Sequence, residues 1–345
     1  MMRPVFKVLI FSILIGIFAC KGGKNEAQTP LRTDLPPEIA KVTAQIGVDS
    51  LNPELYYQRA QFWLEHKDAG KAIEDANHAI RLKPGNSKYY VAQADAYLVM
   101  GKAKLCREAL QKAIDLNSEE TEAYLKMAEL NLYFRDYTQV FMYVQKALDV
   151  DPNIAKAHFI RGFAFKERGD TVGAIKSYQK SIDLNQNYYE AYIQLGMLYS
   201  VKKNKLALDY LNNALRIKPS SAEALYFEGM YYQETDDLNK ALELYNKIVK
   251  TDPNYKFAYF NMGYIHMYFL RVYDKACQYF TSAIQIDPAY VEAYYNRGYS
   301  LELAGDVEKA RTDYNKAIEL RPGYTLALAG LKRLDSGDKT IKKTK

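Results

Sequence analysis

Glycine, proline and cysteine are all scarce in this sequence, with 18, 11 and 3 residues among 345. A chain so poor in glycine and proline is not collagen-like, and with 48% hydrophobic residues it is not globally disordered. Neither sign of charge is in strong excess, since 47 Lys and Arg oppose 41 Asp and Glu for a formal charge of +6. The composition therefore indicates a folded protein and gives no reason to expect a nucleic-acid partner.

Motifs that carry catalysis or hold a metal are missing from the sequence. The histidines His66, His78, His158 and His266 show no ligand spacing, and only His78 has another candidate ligand, Glu74, one helical turn away. The sequence contains no nucleophile motif, no glycine-rich phosphate loop and no paired-cysteine metal pattern. We therefore expect no enzymatic activity, no bound metal and no cofactor.

The first twenty residues are typical of a secretory signal peptide. Arg3 and Lys7 form a positively charged start, and residues 8–18 are an apolar run. This run is too short to span a bilayer, which needs about 20 residues. Ala19 is a small residue at the expected cleavage position, and Cys20 follows it.

The end of this segment resembles the lipobox of bacterial lipoproteins. Residues 17–20 are Ile-Phe-Ala-Cys, and the resemblance implies cleavage before Cys20 and acylation of that cysteine. Residues 1–19 are then a lipoprotein signal peptide, and residues 20–36 are a lipidated flexible tether. Because Lys21 rather than Asp follows the cysteine, the resemblance also implies an outer-membrane lipoprotein that faces the periplasm. The alternative is an ordinary signal peptide, with no role for the cysteine.

Most of the remaining chain is a repeated sequence. Strings such as KAIEDANHAIRLKP and KARTDYNKAIELRP recur in units that begin at residues 53, 87, 121, 155, 189, 222, 256 and 291. The period is 34 residues, with one unit of 33 and one of 35. This period resembles that of tetratricopeptide repeats, each of which consists of two helices.

Residues at fixed positions of the units support this resemblance. Counting from the first residue of each unit, position 8 is small throughout: Ala60, Ala94, Ala128, Gly162, Gly196, Gly229, Gly263 and Gly298. Small residues allow two helices to cross closely, and a proline at position 32 ends the second helix in six units. Tyrosine is abundant, with 31 residues, and many tyrosines fall at positions 4 and 24, where we expect them to pack between helices.

The resemblance implies an all-α superhelical solenoid of eight helix-turn-helix repeats over residues 53–324. Residues 37–52 are predicted to cap its N-terminal end, and residues 325–335 are predicted to form a C-terminal capping helix. The polar, basic residues 336–345 are predicted to be a disordered tail.

Two further details follow from the repeat pattern. We expect the unit of 33 residues to lose a residue in its turn near 202–204, and the unit of 35 to gain one near 270–273. Cys106 and Cys277 fall at small or apolar positions of distant repeats, so we predict that both are free thiols packed in the scaffold.

Candidate binding residues come from the first helix of each repeat, which lines the concave surface in this family. Position 5 is apolar or aromatic in every repeat, and position 9 is polar in the first three repeats but apolar in the last five. The candidate partner contacts are Tyr57, Phe159, Phe163, Met197, Tyr226, Met230, Phe260, Tyr264, Tyr295 and Tyr299. A contiguous apolar strip is typical of a binding surface, although position 5 could equally pack within the scaffold.

The sequence thus predicts a non-enzymatic scaffold or adaptor that is anchored to the outer membrane by lipid at Cys20. Its expected partner is a protein or peptide of an envelope complex, bound in the concave groove. The alternative is a glycan-binding lipoprotein, since aromatic side chains can also stack on sugar rings. A sugar site would need converging polar side chains, and position 9 offers few of them in the last five repeats.

Overall fold

The computed structural model describes residues 35–336, and within this range it contains eighteen α-helices and no strand. The predicted signal peptide, Cys20 and nearly all of the predicted tether and tail lie outside the described residues. No described helix is both long and apolar enough to cross a bilayer. The helices are α1 (Pro37–Val48), α2 (Pro53–Glu65), α3 (Ala69–Leu82), α4 (Ser87–Val99), α5 (Ala103–Leu116), α6 (Thr121–Tyr133), α7 (Tyr137–Val150), α8 (Ala155–Glu167), α9 (Thr171–Leu184), α10 (Tyr189–Val201), α11 (Leu206–Ile217), α12 (Ala222–Glu234), α13 (Leu238–Thr251), α14 (Lys256–Tyr268), α15 (Tyr273–Ile286), α16 (Val291–Ala304), α17 (Val307–Leu320) and α18 (Thr325–Ser336).

Consecutive helices pair into the predicted repeats. Helices α2 to α17 form eight hairpins, each with a first helix, A, packed against a second helix, B. In the turn between α2 and α3, Lys67 adopts a positive φ of 63°, and the Asp68 carboxylate accepts a hydrogen bond from the Lys71 amide at 3.0 Å. Arg135 and Asp136 form the same turn before α7. This combination of a left-handed residue and an N-cap aspartate starts the B helix sharply.

The chain divides into two compact bodies between the fourth and fifth repeats. The N-terminal body ends at Leu184 and contains α1 to α9, and the C-terminal body begins at Asn185 and contains α10 to α18. Within each body, A helices of neighbouring repeats lie side by side, and each B helix also packs against the A helix that follows it. Each body is therefore a stack of hairpins with its core between the A and B helices.

Large rings from the B helices fill the space left by small residues on the A helices. A β-carbon added at Gly229 would lie 2.6 Å from the Tyr245 ring, and one added at Gly263 would lie 2.8 Å from the Phe280 ring. Tyr245, Phe280 and Tyr314 are fully buried. The tyrosines at position 24 are therefore core residues, which accounts for part of the high tyrosine content.

The two repeats of irregular length depart from the regular hairpin in different ways. In the repeat of 35 residues, the extra residue lies in the turn from Phe269 to Val272, as predicted. In the repeat of 33 residues, the turn 202–205 is not shortened, and α11 instead has 12 residues where α9 and α13 have 14. The prediction of a shortened turn was wrong, because the turn is one residue longer than the three of a regular hairpin and α11 is two residues shorter.

A recurring contact shows that α1 takes the place of a B helix. Arg59 donates to both carboxylate oxygens of Asp75 at 2.7 Å and to the Thr43 hydroxyl of α1 at 3.1 Å. In the C-terminal body, Arg297 makes the same set of contacts, with Thr281 of α15 as the hydroxyl partner at 3.1 Å. Because Thr43 and Thr281 have equivalent roles, α1 is the second helix of an incomplete repeat.

Candidate partner-binding surface

The candidate strip consists of the side chains at position 9 of the A helices. In the C-terminal body these are Met197, Met230, Tyr264 and Tyr299, and all four are half-buried. They lie on α10, α12, α14 and α16, whose packing side by side places them in one row. Phe163, the fifth predicted member, is half-buried in the N-terminal body. We call the four residues of the C-terminal body the apolar row.

Three candidate contacts at position 5 lie in the core instead. Phe159, Tyr226 and Tyr295 keep only 6, 8 and 9% of their surface exposed. Their rings pack on aromatic rings of the B helices, with centroids 5.5 to 5.9 Å apart. These three side chains support the scaffold and offer a partner little surface, whereas Tyr57 and Phe260 are half-buried.

Neighbouring aromatic rings hold the end of the apolar row in place. The ring centroids of Tyr264 and Tyr268 are 4.5 Å apart, and those of Tyr268 and Tyr299 are 6.4 Å apart. Tyr299 also stacks on Tyr295 at 6.2 Å with an angle of 4° between the planes. Burial raises the pKa of Tyr264 to about 12, so its hydroxyl stays protonated at neutral pH and can donate a hydrogen bond.

An arginine of α18, whose charge is neutralised by a glutamate, lies at the end of the apolar row. The Arg333 guanidinium lies 5.4 Å from the Tyr299 ring centroid and donates to the two carboxylate oxygens of Glu302 at 2.9 and 2.8 Å. The Tyr314 hydroxyl donates to the same carboxylate. The hydrogen bond to Glu302 raises the pKa of Arg333 against the opposing effect of burial. The C-terminal helix is thus tied to α16 and α17 by a buried, hydrogen-bonded ion pair.

The corresponding face of the N-terminal body carries ion pairs. Lys126 binds Asp95 at 2.7 Å, while Lys156 binds Glu129 at 3.1 Å and Glu122 at 3.2 Å. Burial disfavours the Lys126 ammonium, but the charges of Asp95, Glu122 and Glu129 outweigh this effect and raise its pKa. These lysines and carboxylates neutralise one another, so the two bodies present chemically different A-helix faces.

The sequence interpretation missed a second row of tyrosines in the C-terminal body. Tyr255, Tyr290 and Tyr324 each lie directly before an A helix or the capping helix α18. Tyr255 lies 5.5 Å from the Tyr226 ring, and Tyr290 lies 5.1 Å from the Phe260 ring. Burial raises the pKa of all three. Their recurrence at the end of consecutive repeats is a sequence signal that could have revealed them.

A polar cluster accompanies this second row. The Tyr189 hydroxyl lies 2.5 Å from the Ser221 hydroxyl and donates to the Glu223 carboxylate at 3.0 Å. The Lys218 ammonium lies 3.8 Å from the Tyr189 ring centroid, a cation–π distance. Burial raises the pKa of Glu223, with the hydrogen bond from Tyr189 acting against it.

Two of the histidines contact backbone carbonyl oxygens, and the two cysteines of the described region are free thiols. A ring nitrogen of His158 lies 3.2 Å from the Pro152 carbonyl oxygen. A ring nitrogen of His266 lies 2.8 Å from the Met262 carbonyl oxygen. Cys106 and Cys277 are free, and burial raises their pKa values to about 12 and about 11. Across residues 35–336, no group of three His, Cys, Asp or Glu side chains is placed to hold a metal ion.

Family models of the tetratricopeptide repeat match four segments of the chain. One model matches residues 291–324, and a second matches residues 87–120, 222–255 and 258–290. These boundaries agree with those expected from the repeat pattern to within two residues.

Curated relatives are similar over part of the chain. Anaphase-promoting complex subunit 3 of Schizosaccharomyces pombe is 25% identical over 166 residues, which cover 48% of this chain and 25% of that protein. Hsp70-Hsp90 organizing protein 3 of Arabidopsis thaliana is 25% identical over 226 residues, which cover 54% of this chain and 40% of that protein. The matched region thus spans less than half the length of either relative.

Solved structures share the fold at low sequence identity. The anaphase-promoting complex hetero-tetramer Cut9–Hcn1 has a TM-score of 0.57 and 17% identity, covering 86% of this chain and 58% of that chain. The pilF protein of Pseudomonas aeruginosa has a TM-score of 0.53 and 16% identity, covering 60% of this chain and 94% of that chain. The all-α fold of stacked hairpins is therefore shown, and the chain carries tetratricopeptide repeats in both of its bodies.

Proposed function

We propose that this protein is a non-enzymatic scaffold that binds a segment of another protein on the A-helix face of its C-terminal body. The observation that carries the proposal is the apolar row, in which two methionines and two tyrosines on successive A helices are only half-buried. Such side chains lose further apolar surface when a partner covers them. Two relatives, a subunit of the anaphase-promoting complex and an Hsp70-Hsp90 organizing protein, agree with a role in protein interaction.

The two halves of the row have different roles in this proposal. Tyr264 and Tyr299 are held by neighbouring rings, so they lose little side-chain freedom on binding and act as anchors. Met197 and Met230 are flexible and polarizable, so they adapt to the shape of the bound segment. The N-terminal body, with its paired lysines and carboxylates, contributes less to affinity.

Photo-crosslinking tests where the partner lies. A photoreactive side chain at Met230 should capture a partner in intact cell envelopes, whereas the same group at Gln61, which holds position 9 in the N-terminal body, should capture much less. Equal capture at both sites would contradict the proposal that the partner binds the C-terminal body.

Titration with the recovered partner then measures the anchors. The double variant Tyr264→Ala with Tyr299→Ala should weaken binding by about 2 kcal/mol or more, as expected for two aromatic hot-spot residues. The matched variant Gln61→Ala with Glu129→Ala should change the affinity much less. If the aromatic variant instead lowers the melting temperature and leaves the affinity unchanged, its two rings belong to the core and the proposal fails.

The proposed location is the periplasmic face of a bacterial outer membrane, where acylated Cys20 holds the protein. Support comes from the sequence alone, since residues 17–20 match a lipobox and a polar segment follows. The variant Cys20→Ser should block processing and move the protein out of the outer-membrane fraction. Unchanged fractionation and unchanged partitioning into detergent would contradict the anchor.

A glycan ligand is the second candidate, favoured by the polar cluster at Tyr189 and Glu223. The cluster supplies a hydroxyl and a carboxylate, and Tyr255 nearby supplies an aromatic face. A glycan array probed with the full chain tests this alternative. Specific binding that is lost in Glu223→Gln and retained in the Tyr264 and Tyr299 variant would favour the sugar over the peptide.

A further inference from the structure

Exposed apolar side chains concentrate at the turns that join A helices to B helices. Twelve of the exposed large apolar residues in the described part of the chain lie in or beside these turns: Val99, Met100, Tyr133, Phe134, Val172, Val201, Leu206, Tyr268, Phe269, Leu270, Val272 and Val307. At the turns that follow B helices, the corresponding residues are Val48, Leu51, Val150 and Leu326. The two ends of the hairpins therefore differ in character.

The largest of these clusters is the turn between α14 and α15. Tyr268, Phe269, Leu270 and Val272 expose 48, 44, 45 and 46% of their surface, and Arg271 lies among them with a φ of 57°. This is the turn that carries the extra residue of the repeat. Five consecutive exposed residues, four of them apolar, are unusual in a body that buries most of its rings.

A second turn of the C-terminal body combines apolar residues with positive charge. Val201 and Leu206 expose 66 and 43% of their surface at the two ends of the turn between α10 and α11. Between them lie Lys202, Lys203 and Lys205, all of which are exposed. Lys203 pairs with Glu234, the last residue of α12, whose carboxylate lies 3.8 Å from the Lys203 ammonium. This turn thus combines an apolar rim with three cations, of which Lys203 is paired with a carboxylate.

The turn between these two has the opposite composition. It consists of Thr235, Asp236 and Asp237, and none of them is an exposed large apolar residue. The Asp237 carboxylate accepts a hydrogen bond from the Lys240 amide at 3.2 Å, so it serves as a helix cap. Positive charge and apolar surface therefore coincide in the two flanking turns, and the acidic residues lie in the turn between them.

We infer that the α10–α11 and α14–α15 turns of the C-terminal body dock onto an anionic phospholipid surface. Turns project from the ends of helices, so Phe269 and Leu270 can enter the boundary between headgroups and acyl chains. Burial of aromatic and aliphatic side chains at this boundary is favourable. Lys202, Lys205 and Arg271 are then at the level of the lipid phosphates, which attract them. The contact uses the turns at the helix ends and not the side chains of the apolar row, which it adjoins at Tyr268. It does not depend on acylation of the chain.

A local probe in the full chain tests this inference. An environment-sensitive fluorophore is attached at Leu270→Cys, with Cys20→Ser and Cys277→Ala removing the competing thiols. Cys106 is buried with a raised pKa, so it reacts slowly. The same fluorophore at Leu51→Cys, in a turn from a B helix to an A helix of the N-terminal body, is the control. Vesicles of phosphatidylcholine with phosphatidylglycerol are compared with vesicles of phosphatidylcholine alone.

The fluorophore at residue 270 should show a blue shift of its emission and quenching by lipid-attached quenchers, and only with the anionic vesicles. The fluorophore at residue 51 should show neither. Reversing two charges, Lys202→Glu with Lys205→Glu, should raise the lipid concentration at half-maximal shift by about tenfold or more. The matched variant Lys247→Glu with Lys250→Glu, on the exposed face of α13, should change it much less.

Three outcomes would overturn the inference. The first is the absence of a shift at residue 270, and the second is an equal shift at residues 270 and 51. The third is a shift that needs no vesicles and grows with protein concentration or with added partner protein, because the turns would then bind a protein surface.

Discussion

Single glycines and aromatic rings decide how closely the helices of each hairpin approach. The position 8 glycines of α12 and α14 have no room for a β-carbon, because Tyr245 and Phe280 occupy that space. Gly47 in α1 has no atom within 4 Å of such a carbon. The same residue type therefore has different structural roles in the two places.

Alanine substitutions should separate these roles. Gly229→Ala forces the Tyr245 ring to move and should destabilise the C-terminal body by about 1–3 kcal/mol, the usual cost of overpacking. Gly47→Ala should be neutral or stabilise by about 0.5–1 kcal/mol, because alanine is the better helix former. Urea denaturation of both variants measures the difference, and equal effects would contradict the proposed A–B contact.

Acid should weaken the N-terminal body through His158. Burial lowers the pKa of His158, and the Arg161 charge adds to this effect, while the Pro152 carbonyl opposes it. The folded state therefore favours the neutral ring, whose Nδ1 lies 2.9 Å from the Arg161 guanidinium. The stabilisation is complete above the unfolded-state pKa near 6.5 and is lost as the pH falls toward the lower folded-state value.

The variant His158→Gln removes this titrating group. Its free energy of unfolding should fall less between pH 7 and pH 5 than that of the unmodified protein, since glutamine takes up no proton. Denaturation midpoints at both pH values measure the effect. An identical decrease in the two proteins would show that protonation of His158 does not destabilise the fold.

Individual helices are joined to their neighbours by a small number of buried charges. At the N-terminal end, Thr43 of α1 completes the hydrogen bonds of Arg59. At the C-terminal end, Arg333 of α18 neutralises Glu302, whose side chain is only 7% exposed. The two terminal helices thus close their stacks through specific polar contacts as well as through apolar burial.

Removing the Arg333 charge should lower the stability of the fold, because Glu302 is buried and depends on this cation. Arg333→Met should destabilise the C-terminal body by about 3–5 kcal/mol, because it leaves a buried carboxylate without its cation. The double variant with Glu302→Met should be more stable than the single variant, since both charges are then absent. Lys332→Met, at an exposed neighbour, is the control. If the double variant is no more stable than the single one, the loss in Arg333→Met does not come from leaving the Glu302 carboxylate without its cation.

For the whole molecule, stacking of hairpins makes stability a sum of local contributions. Contacts within each body join helices that are close in sequence, so the packing of one repeat depends mainly on its neighbours. We therefore expect damage in one repeat to be felt first in the adjacent hairpins.

Ala241→Asp tests this local coupling. Ala241 in α13 is fully buried, and an aspartate there would be an unpaired charge, costing about 3 kcal/mol or more. Amide hydrogen exchange should lose protection first in α12 to α15 and later, if at all, in α2 to α7. Uniform loss along the whole chain would mean that the protein unfolds as a single cooperative unit.

Repeat boundaries and helix partners were predictable because they depend on local sequence. Position 8 is small and the second helix ends at a proline in most units, and both signals recur often enough to define the period. The length of α11 was not predictable, because the shortened unit could lose its residue from the turn or from the helix with the same sequence spacing. Position 5 was ambiguous for a similar reason, since one helix face both lines a groove and packs on the B helix.

The sequence by itself determined the all-α class, the number of hairpins, and the contrast between polar and apolar residues at position 9. Each of these features depends on periodicity, which a single chain displays directly. Only the tertiary structure decided which side chains remain accessible: it buried Tyr226 and Tyr295, left the apolar row half-buried, and exposed the turn from Tyr268 to Val272. Accessibility depends on which helices cover a residue, here the B helix of the same hairpin and the start of the next repeat, and sequence spacing does not show how closely these pack.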